Sequence, residues 1–217
     1  LVLDLFLGYL YLSVLVGMGI AFDSIVGLRN TGGLHFLLSL PYSRRDVAVG
    51  TFLGRVVATS ASIATGLLAF AAVTYYQGVG IPTSPLVGTF LLLSAAAIAA
   101  VSIALAISMS VRSRTTAGVL VLIAFVGFSY AWWYLPDLLA VVLPDLTAQY
   151  EAGLLLANPI TAVIVVSQEV FGTALVSKDF LSAQLPMTAV GPSVLVLLGY
   201  ATLPLAVAYA RFRRRDL

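Results

Sequence analysis

The feature that most constrains this chain is a series of apolar runs, several longer than the ~20 residues a helix needs to cross a bilayer core. Only 9% of the 217 residues are charged and 61% are hydrophobic, against roughly 25% charged in an ordinary soluble domain. The runs are unbroken, whereas a transmembrane barrel shows alternating segments of about 10 residues. The expected fold is therefore an all-α polytopic membrane protein, one domain over residues 1–217. The chain has no cysteine, which excludes disulfides, thiolate nucleophiles and cysteine metal sites.

Five crossings are expected. Span one covers residues 3–27, with Asp4 near its start, Asp23 near its end, and Gly8, Gly17 and Gly19 letting neighbouring helices approach. Span two covers residues 46–77. At 1.5 Å per residue it is roughly 48 Å long, so its first turns stand outside the hydrocarbon. Arg55, about 14 Å along it, is expected to snorkel at the interface. The small residues 58–66 read as a packed face. Residues 78–85 form a short uncharged turn into span three, residues 86–111. A basic link, Arg112–Ser113–Arg114, precedes span four, residues 116–133. That span ends in Tyr130, Trp132, Trp133 and Tyr134, an aromatic cluster suited to a membrane interface.

Residues 135–191 form a long, mostly acidic loop that is expected to be partly helical and extracellular. Asn158 and Pro159 make a helix start, with Asn as the cap and Pro at the first position. The helix from Pro159 to about Val176 is apolar only as far as Val166, so an interfacial or partly re-entrant helix is expected there. Span five covers residues 193–210, with Pro204 as a candidate kink. Arg211, Arg213, Arg214 and Arg215 follow it.

With five crossings, Arg29, Arg44, Arg45, Arg55, Arg112, Arg114 and the four tail arginines fall on one side, and Lys178 alone on the other. The excess of basic residues marks the cytoplasmic side. The tail reads as a topology anchor in the plasma membrane, facing lipids, and not as a nucleic-acid-binding arm. Leu1 then lies outside. A chain that begins almost within a span, without Met, leads to the expectation of a missing leading helix and six spans in the whole.

No enzyme constellation is present, and no catalytic, cofactor or metal site is expected. There is one histidine, too few for a histidine metal cluster. The chain has no G-x-S-x-G and no GxxxxGK[ST], so it has no P-loop with which to bind ATP itself. Asp23 is the one carboxylate beside an apolar span that is a functional candidate. It lies six residues from Arg29, which suggests an interfacial pair or a solvated end.

The main polar interruption is residues 29–50. Gly32 and Gly33 open it. A short amphipathic piece follows, with Leu34, Leu37 and Leu38 on one face and His35 and Ser39 on the other. Pro41 stops that piece. Ser43 and Asp46, flanking Arg44 and Arg45, form an S-x-x-D start for the next helix.

Thr31–Gly32–Gly33–Leu34, Leu37–Leu38–Ser39–Leu40–Pro41, Ser43–Arg44–Arg45 and Gly50 resemble a pattern of type-2 permease subunits of ATP-binding-cassette transporters. The small-residue span three closing with Ser113–Arg114–Thr115–Thr116–Ala117 is similar to that family too. The likeness covers the whole chain as family spans two to six. Within the family it is most similar to the subgroup linked to nitrous-oxide-reductase and multicopper-enzyme maturation. Leu28, Asn30, Gly33 and Thr51 depart from the family's usual residues.

The resemblance implies a permease subunit that dimerises and meets a separate ATPase, with ATP bound on that partner. Gly32, Gly33, Leu34, His35, Leu37, Leu38, Pro41, Ser43, Arg44, Arg45 and Asp46 would make the coupling element. The leucines would grip the ATPase or rest on the membrane. Arg44 and Arg45 would contact ATPase acids or lipid phosphates. The expected function is ATP-driven export of a substrate the sequence does not name. The alternative is a membrane scaffold or assembly factor for metalloenzyme maturation, without transport.

Overall fold

A computed structural model describes residues 2–78, 83–171 and 190–214. Those residues are mostly helical, and no strand occurs among them. The helices are α1 (Val2–Ala21), α2 (Ser24–Asn30), α3 (Gly33–Ser39), α4 (Arg44–Tyr76), α5 (Thr83–Ser110) and α6 (Arg114–Ser129). A 3-10 turn (Ala131–Tyr134) leads into α7 (Leu135–Val142), α8 (Pro144–Leu156) and α9 (Pro159–Phe171), and α10 (Val190–Arg214) closes the chain. Four long helices can cross a membrane by length and composition: Phe6–Asn30, Arg44–Tyr76, Ser84–Ser110 and Val190–Arg211. Two bent pairs, α6 with the turn and α7, and α8 with α9, raise the number to six if each crosses. The five expected crossings lie within that range.

The bundle is built around α5. Its buried stretch is mostly small: Ala96, Ala97, Ala99, Ala100 and Ala104, with Ser102 and Ser108. Small side chains let helices pack on several sides of one axis. Accordingly α1, α4, α9 and α10 all lie against α5, with α1 and α10 sharing the longest seams. Of the three glycines expected to pack span one, only Gly17 does so, since a β-carbon there would stand 3.1 Å from the Ala97 carbonyl oxygen. Gly8 and Gly19 face open space.

Span one stands as one candidate crossing, Phe6–Asn30, although a short turn separates α1, ending at Ala21, from α2, beginning at Ser24. The expected packing of span two needs correction. Residues 58–66 do not form a packed face within the chain, where Thr59 alone is buried. The helix α4 touches α5 and α1 along one flank and leaves Leu53, Val57, Leu68 and Val73 exposed. Thr59, Ser62 and Thr65 donate their hydroxyls to carbonyls one turn back. Ser62 and Thr65 therefore sit on an outer surface with their hydroxyls satisfied, and small or hydroxylated composition does not reveal which side is covered.

The helix expected to be interfacial or partly re-entrant is α9. Ile160, Ala162, Val163, Ile164 and Val165 are buried, and α5 and α10 cover it. It meets α8 at 95°, the sharp bend of a broken span or re-entrant loop. Asn158 makes that bend: its side-chain oxygen accepts from the Ile160 N–H at 2.8 Å, and its amide donates to the Phe128 carbonyl at 2.7 Å. The expected end of this helix, residues 172–176, and Lys178 lie outside the described residues.

The aromatic cluster does more than mark an interface. Trp132 donates its indole N–H to the Leu154 carbonyl at 2.8 Å, tying the turn to α8. Phe128 contacts Trp132 and Tyr200, both at 5.5 Å between centroids. The final helix continues through Pro204 to Arg214, so Arg211 and Arg213 belong to it.

Candidate functional site at the basic end of the bundle

The polar interruption folds as the end of α2, the short helix α3 and the start of α4. The break before α2 leaves the first N–H groups of a new helix without intrahelical partners. Asp23, at the cap position, makes no side-chain cap. The Ser108 hydroxyl of α5 accepts the Ile25 and Val26 N–H groups instead, each at 3.1 Å. Ile25 and Val26 are fully buried, so these bonds satisfy donors that water cannot reach.

The charged side chains pair across helices. Asp23 forms its salt bridge with Arg114 at the start of α6, whereas the sequence suggests a pair with Arg29 or a solvated end. Six residues apart is a poor spacing for facing positions on one helical path, where neighbours lie three or four apart. Arg29 instead donates to the Val111 carbonyl at 2.7 Å, beyond the end of α5. The Asp23 carboxylate lies over Gly27, where a β-carbon would come within 2.7 Å of Oδ1. Oδ1 is buried and has no hydrogen-bond partner.

Arg55 does not simply snorkel to the surface. Its Nε donates to the Ser24 hydroxyl at 2.9 Å, joining α4 to α2. Asp23, Ser24, Thr51, Gly54, Arg55 and Arg114 are among the residues around an open cleft of about 580 Å³.

Gly32 turns the chain from α2 into α3 with φ +74°, a left-handed conformation that glycine adopts without a β-carbon clash. In α3, Leu34 points inward and is fully buried, in a cluster with Ile25, Ala48, Leu105, Met109 and Ala208. It is therefore closed to both the membrane and an outside partner. Leu37 is half-buried. The side chains of His35 and Leu38 lie outside the described residues. Phe36 is 67% exposed, and Leu40 and Tyr42 are exposed beside it. Sequence reasoning passed over Phe36 because an amphipathic assignment needs to know which side of a two-turn helix faces the bundle.

Pro41 ends this element in an extended stretch, and α4 starts as its residues imply. The Asp46 N–H donates to Ser43 Oγ at 3.2 Å, and the Ser43 N–H donates back to Asp46 Oδ2 at 2.8 Å, a capping box. Arg44 is half-buried and Arg45 exposed.

Among the described residues no three His, Asp or Glu side chains gather as metal ligands. Hydrogen bonds from α2 reach α4 and α5, the Asp23–Arg114 ion pair just before α2 reaches α6, and a buried leucine fixes α3 to the same unit. A bundle of long apolar helices with a short helix anchored at its basic end defines a multi-pass membrane protein. The chain belongs to the ABC-2 transporter family: the model described as ABC-2 family transporter protein matches residues 8–217. It is accordingly a permease component of an ABC transporter. No curated protein matches it significantly.

Proposed function

We propose that this chain is the membrane subunit of an ATP-driven exporter, that a separate ATPase docks on α3, and that a second copy completes the transport path. The observation that carries the reading is the division of labour within α3 and the stretch just after it. Leu34 anchors it in the core while Phe36, Leu40 and Tyr42 stand exposed at the same end. Exposed large aromatic side chains on a rigid base are favourable anchors for a partner groove. Motion delivered there moves α2 and, through Ser108, Arg29, the Asp23–Arg114 pair and Arg55, the ends of α5, α6 and α4.

In this reading the basic end and the C-terminus face the cytoplasm of a plasma-membrane protein, and the ATPase binds and hydrolyses ATP. The uncovered flank of α4 is the surface available to a second copy. The test is co-purification of the ATPase encoded beside this gene with wild type, Phe36→Asp and Leu37→Asp. Capture by wild type and loss in Phe36→Asp support docking on α3. If no ATPase binds wild type, the exporter reading fails and a membrane scaffold for metalloenzyme maturation becomes the reading to test.

A further inference from the structure

The geometry points to a binding site for one anionic phospholipid in the cleft between α2 and α4, with Arg55 holding the headgroup phosphate. The cleft's charges do not cancel. Asp23 is neutralised by Arg114, and its other oxygen, Oδ1, is buried and offers no open edge to the cleft. Arg55 spends Nε on Ser24, an uncharged partner, and among the described residues its two terminal nitrogens have no hydrogen bond or ion pair. That leaves one guanidinium charge facing the open cleft, with a planar fork suited to two phosphate oxygens.

The shape of the site favours a lipid over a free phosphate. Gly50 and Gly54, one turn apart on α4, line the cleft, and a β-carbon at either would meet nothing within 4 Å. Above them on the same helical face is Val57, 67% exposed. A headgroup seated on Arg55 therefore has an apolar track along α4 for its acyl chain. The site lies about 17 Å from the start of α4 by helical rise, at the end of the bundle that carries the basic link. Anionic headgroups concentrate at the cytoplasmic leaflet.

The test uses the full chain without ATPase, in nanodiscs of phosphatidylcholine doped with phosphatidylglycerol. Native mass spectrometry after release counts the phosphatidylglycerol retained per chain. Wild type is expected to keep one molecule. Arg55→Gln is expected to bind it more weakly by about tenfold, the equivalent of 1.4 kcal/mol. Gly54→Leu keeps Arg55 but fills the cleft, and is expected to lose the lipid too. Circular dichroism should show unchanged helicity in both variants. Excess inorganic phosphate should leave the lipid in place. If phosphate displaces it, the anion site stands and the acyl-chain part is overturned. Equal retention in all three proteins would mean nonspecific surrounding lipid and overturn the site. Should both variants keep the lipid yet lose ATPase capture, the cleft is a protein contact and the lipid proposal fails. Lipid retention and ATPase capture are separate readouts, so either proposal can fail alone.

Discussion

The Ser108 hydroxyl accepts the backbone N–H of Ile25 at 3.1 Å, across 83 residues of chain. It takes the Val26 N–H as well. A residue of α5 thus does for α2 what a capping side chain normally does from within the same segment. Ser108→Ala leaves two buried donors unmet, at about 1–3 kcal/mol each. Thermal unfolding in detergent is expected to shift well below wild type. Ser102→Ala is the control, since the Ser102 hydroxyl is buried with no hydrogen-bond partner and its removal should be neutral or stabilising. Equal melting of Ser108→Ala and wild type would remove the capping role.

Two glycines in span one and its continuation separate packing from open space. Gly27→Ala places a β-carbon 2.7 Å from Asp23 Oδ1, so the short carboxylate must move and strain its bridge to Arg114. Gly19→Ala meets nothing within 4 Å and gains helix propensity, roughly 1 kcal/mol in a helix interior. Gly27→Ala should melt lower than wild type and Gly19→Ala no lower, by the same assay. The reverse order would contradict the placement of Asp23.

Leu34 and Phe36 lie two residues apart and do different work. Leu34→Ala empties a fully buried site, a change that typically costs about 2–5 kcal/mol. It should destabilise the chain. Phe36→Ala removes an exposed ring and is expected to leave the melting temperature within error while weakening ATPase capture. Loss of capture only in proportion to lost stability, in both variants, would deny α3 its docking role.

Orientation can be read chemically because the chain has no native cysteine. In whole cells a membrane-impermeant maleimide is expected to label Tyr76→Cys, at a residue 93% exposed at the end of α4. Arg112→Cys, in the basic link, should label only after the membrane is opened. The opposite pattern would invert the proposed topology.

The sequence by itself determined the class of the protein and those local structures whose partners lie within a few residues. Apolar runs fixed a helical membrane bundle, since a bilayer core demands that backbone groups be satisfied within the segment. The Ser43–Asp46 capping box and the Asn158 cap were legible for the same reason: donor and acceptor sit two or three residues apart. The tertiary structure decided everything that depends on rotation about a helix axis or on a neighbour far along the chain. It paired Asp23 with Arg114 rather than Arg29, turned Arg55 toward Ser24, and sent Leu34 inward with Phe36 outward. It also buried α9 and left α4 largely uncovered. In a membrane, lipid and protein core are equally apolar, so hydrophobicity does not record which face of a helix is packed. That record exists only in the contacts between helices.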